Sequence, residues 1–184
     1  VIREKIRHLE EIVSRVLSFG KSGLGMRTRR DLHELVEQTL QLVRLKFNHQ
    51  KVAVELDRGT ESAFIQCDKG QIQQVILNLL FNAAEAMPGG GRIVIRTSPD
   101  REGFVLVRVS DEGSGVPEPI RERIFESFLT SRSEGTGLGL AIVKRILRAH
   151  RGDIRLLESD GSGTTFEFWL PLESPEAQSD SAGS

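Results

Sequence analysis

Two asparagines, Asn78 and Asn82, sit in an otherwise apolar run of Val75, Ile76, Leu77, Leu79, Leu80 and Phe81. Four residues apart on a helix, both amides lie on one face. Asparagine is a poor helix former, and when buried it must find hydrogen-bond partners. Two uncharged amide oxygens side by side suit Mg²⁺, which keeps several of its waters and shares its other positions with phosphates. Two structural amides bridging helices would give the same pattern.

Two glycine motifs follow. In the first, Asp111 ends an apolar run and is followed by Gly113 and Gly115. A carboxylate at a strand end can accept a hydrogen bond from an exocyclic amine such as that of adenine. The glycines allow a tight turn or close approach to a flat ligand, although Asp and Gly are also ordinary turn residues. In the second, Gly135, Thr136, Gly137, Leu138 and Gly139 open a predicted helix. Backbone N–H groups and the positive end of a helix dipole there would receive phosphate. The motif is not a Walker loop, because no Gly-Lys-Ser/Thr stands at the required spacing. It is not a dinucleotide fingerprint either, because it follows loop rather than strand. Between the motifs, Phe125 and Phe128 can anchor a short lid or simply pack, and Arg132 can reach a terminal phosphate. In this order the parts make a site for a nucleoside triphosphate.

The surrounding elements must hold these residues. Residues 1–19 read as an amphipathic helix, with Ile2, Ile6, Leu9, Val13 and Val16 at heptad spacing. Ile12, Leu17 and Phe19 widen the stripe, which favours a four-helix bundle over a two-stranded coil. An ordinary helix packed on its own domain would fit the same spacing. Residues 20–30, with Gly20, Gly23 and Gly25, read as a linker. From Asp31 the pattern is that of a compact α/β domain. Asp31 is placed to cap a helix, with Glu34 in the capping-box position and Leu32, Leu35, Val36, Leu40, Leu42, Val43 and Phe47 as its buried stripe. Strand-like runs cover 52–56, 63–67, 92–98 and 104–110. The asparagine helix spans about 69–87, a second helix 136–150, and a last hairpin 152–158 with 164–170. Residues 173–184 are polar and are expected to be disordered.

Bulk composition narrows the classes. The 184 residues suffice for one well-buried domain plus an extra element. A net charge of −1 with 28% charged residues suggests neither nucleic-acid nor anionic-membrane binding. No apolar run approaches the ~20 residues of a membrane-spanning helix, and no signal-peptide pattern is present. The single Cys67 excludes an internal disulfide and a cysteine-based zinc cluster, and fits a reducing cytoplasm.

With these motifs in order, residues 31–172 resemble the catalytic, ATP-binding domain of bacterial sensor histidine kinases, in the GHKL superfamily that also holds gyrase-type ATPases. The run from Gln74 to Asn82 is similar to that family's N box, and Asp111 to Gly115 to its first glycine box. Phe125 to Phe128 is similar to the F box, Gly135 to Gly139 to the second glycine box, and Gly161 to Phe166 to the closing glycine–threonine segment. The resemblance implies a two-layer α/β sandwich, with a mixed five-stranded sheet covered on one face by helices and preceded by a bundle or coiled-coil helix. It implies that Asn82 ligates Mg²⁺ with Asn78 beside it near the phosphates. It further implies that Asp111 recognises adenine with support from Thr164, and that the backbone of Gly137 to Gly139 cradles phosphate. The basic Arg132 is similar to the nitrogen-regulation subgroup, although Leu129 replaces a phenylalanine common there.

The superfamily's hydrolases carry a glutamate four residues before the metal-binding asparagine, as general base towards water. Here Asn78 holds that place, and an amide takes up no proton at pH 7. The expectation is phosphoryl transfer to an acceptor, with relay to a response-regulator receiver domain. None of the four histidines fits the family's acceptor pattern: His8 reads as solvated, and His33, His49 and His150 as structural. The start at Val1 leads to the expectation of a fragment lacking the first hairpin helix, in a protein that dimerises through that hairpin. A serine kinase of the anti-sigma-factor type and a non-catalytic nucleotide sensor are the alternatives.

Overall fold

The computed structural model describes residues 26–100, 102–127 and 137–173. The expected N-terminal helix, the linker as far as Gly25, and residues 174–184 of the expected tail lie outside them.

Among the described residues, seven strands and three α-helices follow one another: β1 (Thr28–Asp31), α1 (Leu32–His49), β2 (Val52–Arg58), β3 (Phe64–Cys67), α2 (Lys69–Ala86), β4 (Gly91–Pro99), β5 (Phe104–Asp111), α3 (Gly139–Ala149), β6 (Asp153–Asp160) and β7 (Gly163–Pro171). A 3₁₀ helix, Glu118–Arg123, lies between β5 and α3. The main sheet has the order β2-β4-β5-β7-β6. β2 and β4 run parallel and the other pairs antiparallel, so the five-stranded sheet is mixed. β1 and β3 form a separate antiparallel pair.

Alternation along the strands makes one face of the sheet apolar. Register aligns Ile95, Val109 and Phe166 in one row across β4, β5 and β7, and Thr97, Val107 and Phe168 in the next. Against this face pack Leu32, Leu35, Val36, Val43 and Phe47 of α1, Ile72, Val75, Ile76, Leu79 and Leu80 of α2, and Ile142, Val143, Ile146 and Leu147 of α3. The result is the two-layer sandwich that the resemblance implies.

Three local expectations are corrected. The linker expected to reach residue 30 gives way to β1, whose Thr28 pairs with Cys67. Asp31 caps α1 by accepting from the His33 N–H at 2.9 Å, but Glu34 accepts from Gln38 Nε2 rather than closing a capping box. Leu42 is 68% exposed. The buried stripe of α1 advances through Leu32, Val36, Thr39, Val43 and Phe47 in steps of three and four, and Leu42 falls outside that phase.

The other face of the sheet carries a cross-strand charge row. Asp57, Arg96, Arg108, Glu167 and Arg155 are successive register partners. Glu167 has no accessible surface, yet Arg108 Nε lies 2.6 Å and Arg155 Nε 2.9 Å from its carboxylate oxygens. Burial alone would raise its pKa, and the two guanidiniums hold it below the ordinary 4.5. His150 is buried and neutral: its Nε2 accepts from the Asp68 N–H at 3.1 Å, and its Nδ1–H donates to Ile146 O at 2.8 Å. Burial pushes the pKa of His150, and of the equally buried His33, below 6.5.

All three shifts act in the same direction. Below 6.5 the unfolded chain takes up protons that the folded histidines resist, and below 4.5 the same holds for Glu167. The thermal midpoint is therefore expected to be level above about pH 7, to fall as pH drops through the ordinary histidine range, and to fall again in the carboxylate range. A midpoint unchanged between neutral pH and about pH 5 would contradict the neutral assignment of these histidines.

Candidate functional site

α2 is the spine of the site. Asp68 caps it by accepting from the Gln71 N–H at 3.1 Å, and Ile72, Val75, Ile76, Leu79, Leu80 and Ala83 fix its rotation against the core. That rotation turns Asn78 and Asn82 towards the start of α3. A Cβ placed on Gly139 would stand 3.5 Å from Asn78 Oδ1 and 3.9 Å from Asn82 Oδ1. The two amide oxygens and Gly139 of the second glycine motif therefore meet, although Gly139 lies 57 positions beyond Asn82 in sequence. Asn78 is 7% exposed, and its Nδ2 is buried with no hydrogen-bond partner among the described residues. An orphaned buried amide is costly and calls for a partner from outside the protein.

The start of α3 differs from the other two helix starts. α1 and α2 each have an aspartate side chain on a first-turn N–H, whereas the N-cap residue of α3, Leu138, makes no side-chain capping bond. Gly137 has φ +64°, a left-handed conformation that glycine adopts without a Cβ penalty. The positive end of the α3 dipole thus lies beside two amide oxygens. An anion suits the first and a hydrated hard cation the second. The donor set fits Mg²⁺ bound together with phosphate. Among the described residues no group of three or more His, Cys, Asp or Glu could hold a metal ion.

The other end of α2 seats the first glycine motif. The Ser114 N–H donates to Ala86 O at 3.3 Å, and a Cβ on Gly113 would lie 2.5 Å from Ala86 Cβ. The Gly113 N–H donates to Asp111 Oδ1 at 2.8 Å, which orients that carboxylate. Register places Asp111 between Ile93 and Thr164, in a row that continues the helix-facing side of the sheet. Gly163 is required because its Cβ would stand 2.1 Å from the Asp111 carbonyl oxygen. Asn78 and Ala86 are eight residues apart, about 12 Å along the helix axis. Asn82 stands about 6 Å from Ala86 along the same axis, so the amide pair and the aspartate loop lie one to two turns apart on α2.

Phe125 leans edge-on against Phe166, with ring centroids 6.2 Å apart, and Lys144 Nζ lies 4.8 Å from the centre of its ring. Leu138 is buried as the N-cap residue of α3. Phe128, Arg132, Gly135 and Thr136 lie outside the described residues. Sequence reading did not single out Lys144, Ala86 or Ser159, which touch the motifs only through the fold.

The histidine kinase-, DNA gyrase B-, and HSP90-like ATPase family matches residues 67–174. That span contains both asparagines and both glycine motifs. The chain belongs to this family.

Within it, the likeness is to histidine kinases. The catalytic domain of histidine kinase ThkA superposes with a TM-score of 0.71 at 32% identity, over 79% of this chain and 95% of that one. Full-length ShkA in complex with AMPPNP gives 0.81 at 29% identity, over 94% of this chain and 37% of that one. ThkA in complex with response regulator protein TrrA gives 0.77 at 29% identity, over 94% and 49%. Sporulation kinase E of Bacillus subtilis (strain 168) is 32% identical over 94% of this chain and 23% of its own length. The first four curated relatives are spanned over 23%, 28%, 37% and 41% of their lengths. The chain carries an ATP-binding catalytic domain like those of two-component sensor histidine kinases. Among the described residues no helix is long and apolar enough to cross a membrane.

Proposed function

We propose that this domain binds Mg-ATP and transfers its γ-phosphoryl group to a histidine on a helical dimerisation hairpin, for relay to an aspartate of a response regulator. In the transfer a nitrogen–phosphorus bond forms at the imidazole, the bond between the γ-phosphorus and the β,γ-bridging oxygen breaks, and ADP leaves. The observation that carries this reading is the meeting of Asn78 and Asn82 with Gly139 at the start of α3. The ShkA–AMPPNP and ThkA–TrrA complexes support the nucleotide and the partner.

Asn82 would ligate the ion, with Asn78 beside it near the phosphates. When bound, Mg²⁺ would neutralise charge on the phosphate oxygens. N–H groups from Gly135 to Gly139 would orient the triphosphate. Asp111 would accept from the adenine amino group, with Gly113, Gly115 and Thr164 shaping that end. Phe125 and Phe128 would anchor the segment that carries Arg132, whose guanidinium would meet the terminal phosphate. This basic residue supports placement in the nitrogen-regulation-like subgroup. With an amide at position 78, no base activates water there, so ATP would be held for an acceptor rather than hydrolysed quickly. We place the domain in the cytoplasm, where ATP is supplied, and expect the complete protein to be a homodimer.

Incubation with labelled ATP, Mg²⁺ and a separate histidine-bearing hairpin tests the reading. Acid-labile label on the hairpin histidine is expected. Label on a serine of a partner would favour the anti-sigma type of kinase, and binding without transfer a nucleotide sensor.

A further inference from the structure

The polar row that ends the helix-facing side of the sheet continues beyond Thr164. Asp111 pairs with Thr164 across β5 and β7, and Thr164 pairs with Ser159 across β7 and β6. Three oxygen-bearing side chains therefore stand on adjacent strands at the end of α2 expected to hold the base. Ser159 also reaches the first glycine loop. Its Oγ accepts from the Val116 N–H at 2.7 Å and lies 3.5 Å from Thr164 Oγ1. The Val116 carbonyl accepts from Arg121 Nε at 2.9 Å, so both backbone groups of this peptide segment are held. Gly115 sits directly on the β6–β7 turn, where a Cβ would stand 1.9 Å from Asp160 O.

A hydroxyl has one proton and two lone pairs. With the Val116 N–H on one lone pair of Ser159, its hydroxyl faces Thr164 Oγ1 at 3.5 Å, where either oxygen can be the donor. When Ser159 donates in this contact, Thr164 keeps its own proton for an acceptor on a bound base. Adenine presents an amino donor beside a ring-nitrogen acceptor, whereas guanine presents a carbonyl acceptor beside an N–H donor. An aspartate acceptor next to a threonine donor matches the first edge and not the second.

We propose that Ser159 is a positioning residue for base recognition, which locks the Gly113 to Val116 loop and directs the Thr164 hydroxyl as a donor. This rests on the reading of the site as a nucleotide pocket. It is tested by calorimetric titration of the whole chain, and of its Ser159→Ala and Ser159→Thr variants, with Mg-ATP and Mg-GTP. Ser159→Ala is expected to weaken ATP binding about ten-fold while changing GTP binding less than about two-fold. Ser159→Thr, which keeps the hydroxyl, should stay within about two-fold of the unaltered chain for both. An unchanged ATP-over-GTP preference in Ser159→Ala would overturn the proposal. So would an equal loss for both nucleotides, as a merely structural serine would give, or a threonine variant as impaired as the alanine one. Failure of the unaltered chain to bind ATP would sink the nucleotide reading itself, a result distinct from these.

Discussion

Asn82→Ala is expected to abolish Mg-ATP binding measured by calorimetry, with a loss of more than about a hundredfold, because even the groups that merely support metal ligands cost about 10–100-fold when removed. Stability should not follow affinity. Asn82 is partly exposed on α2, and alanine is the better helix former there by a few tenths of a kcal/mol. The variant is therefore expected to melt at or slightly above the unaltered temperature while losing the nucleotide. Asn82→Asp, which keeps an oxygen at the same place, should retain measurable binding. Near-normal affinity in Asn82→Ala would overturn the metal assignment. An alanine variant that loses both fold and binding would show that this amide holds the structure, as the alternative of bridging structural amides requires.

Gly115→Ala is expected to be the most damaging of three glycine replacements that separate conformational strain from steric contact. Gly161 has nothing within 4 Å of its Cβ position and no left-handed φ, so alanine there should be close to neutral. Gly103 has φ +83° with open space around it, and alanine should cost the left-handed penalty alone, about 1–2 kcal/mol. Gly115 combines φ +76° with a Cβ position 1.9 Å from a backbone oxygen, which must shift. The sum should reach about 3–5 kcal/mol, or roughly 10 °C in thermal midpoint for a domain of this size. Because the oxygen belongs to Asp160, beside Ser159, the loop would also leave the position from which it faces Asp111. Thermal melts of the three variants check the order. A Gly115→Ala midpoint no lower than that of Gly103→Ala would mean that the loop yields freely and does not fix the pocket.

The aspartate cap of α1, the strand pair β4–β5 and the hairpin about Gly161 were legible because each is written in neighbouring residues. A capping side chain, a period of two or 3.6, and a glycine turn act over a few positions. Leu42 shows the limit of that reading. Its side chain is as apolar as those of Val43 and Phe47, and only the angle at which α1 meets the sheet leaves it in water. β1 was hidden for a related reason. Residues 28–31 are three charged or basic positions and a threonine, a poor strand by composition, and they become one by pairing with β3.

The order of the parts of the site came from the sequence alone: the residue types at 78 and 82, the glycines, and the absence of a carboxylate where a hydrolase would need one. These are properties of side chains and do not depend on packing. Tertiary structure decided what stands opposite what. The rotation of α2 against the core brings both amide oxygens to Gly139, and sheet register puts Asp111, Thr164 and Ser159 in one row. Such contacts join residues tens of positions apart, and chain periodicity carries no information about them. They are set when burial of the apolar face fixes the two layers in one mutual position.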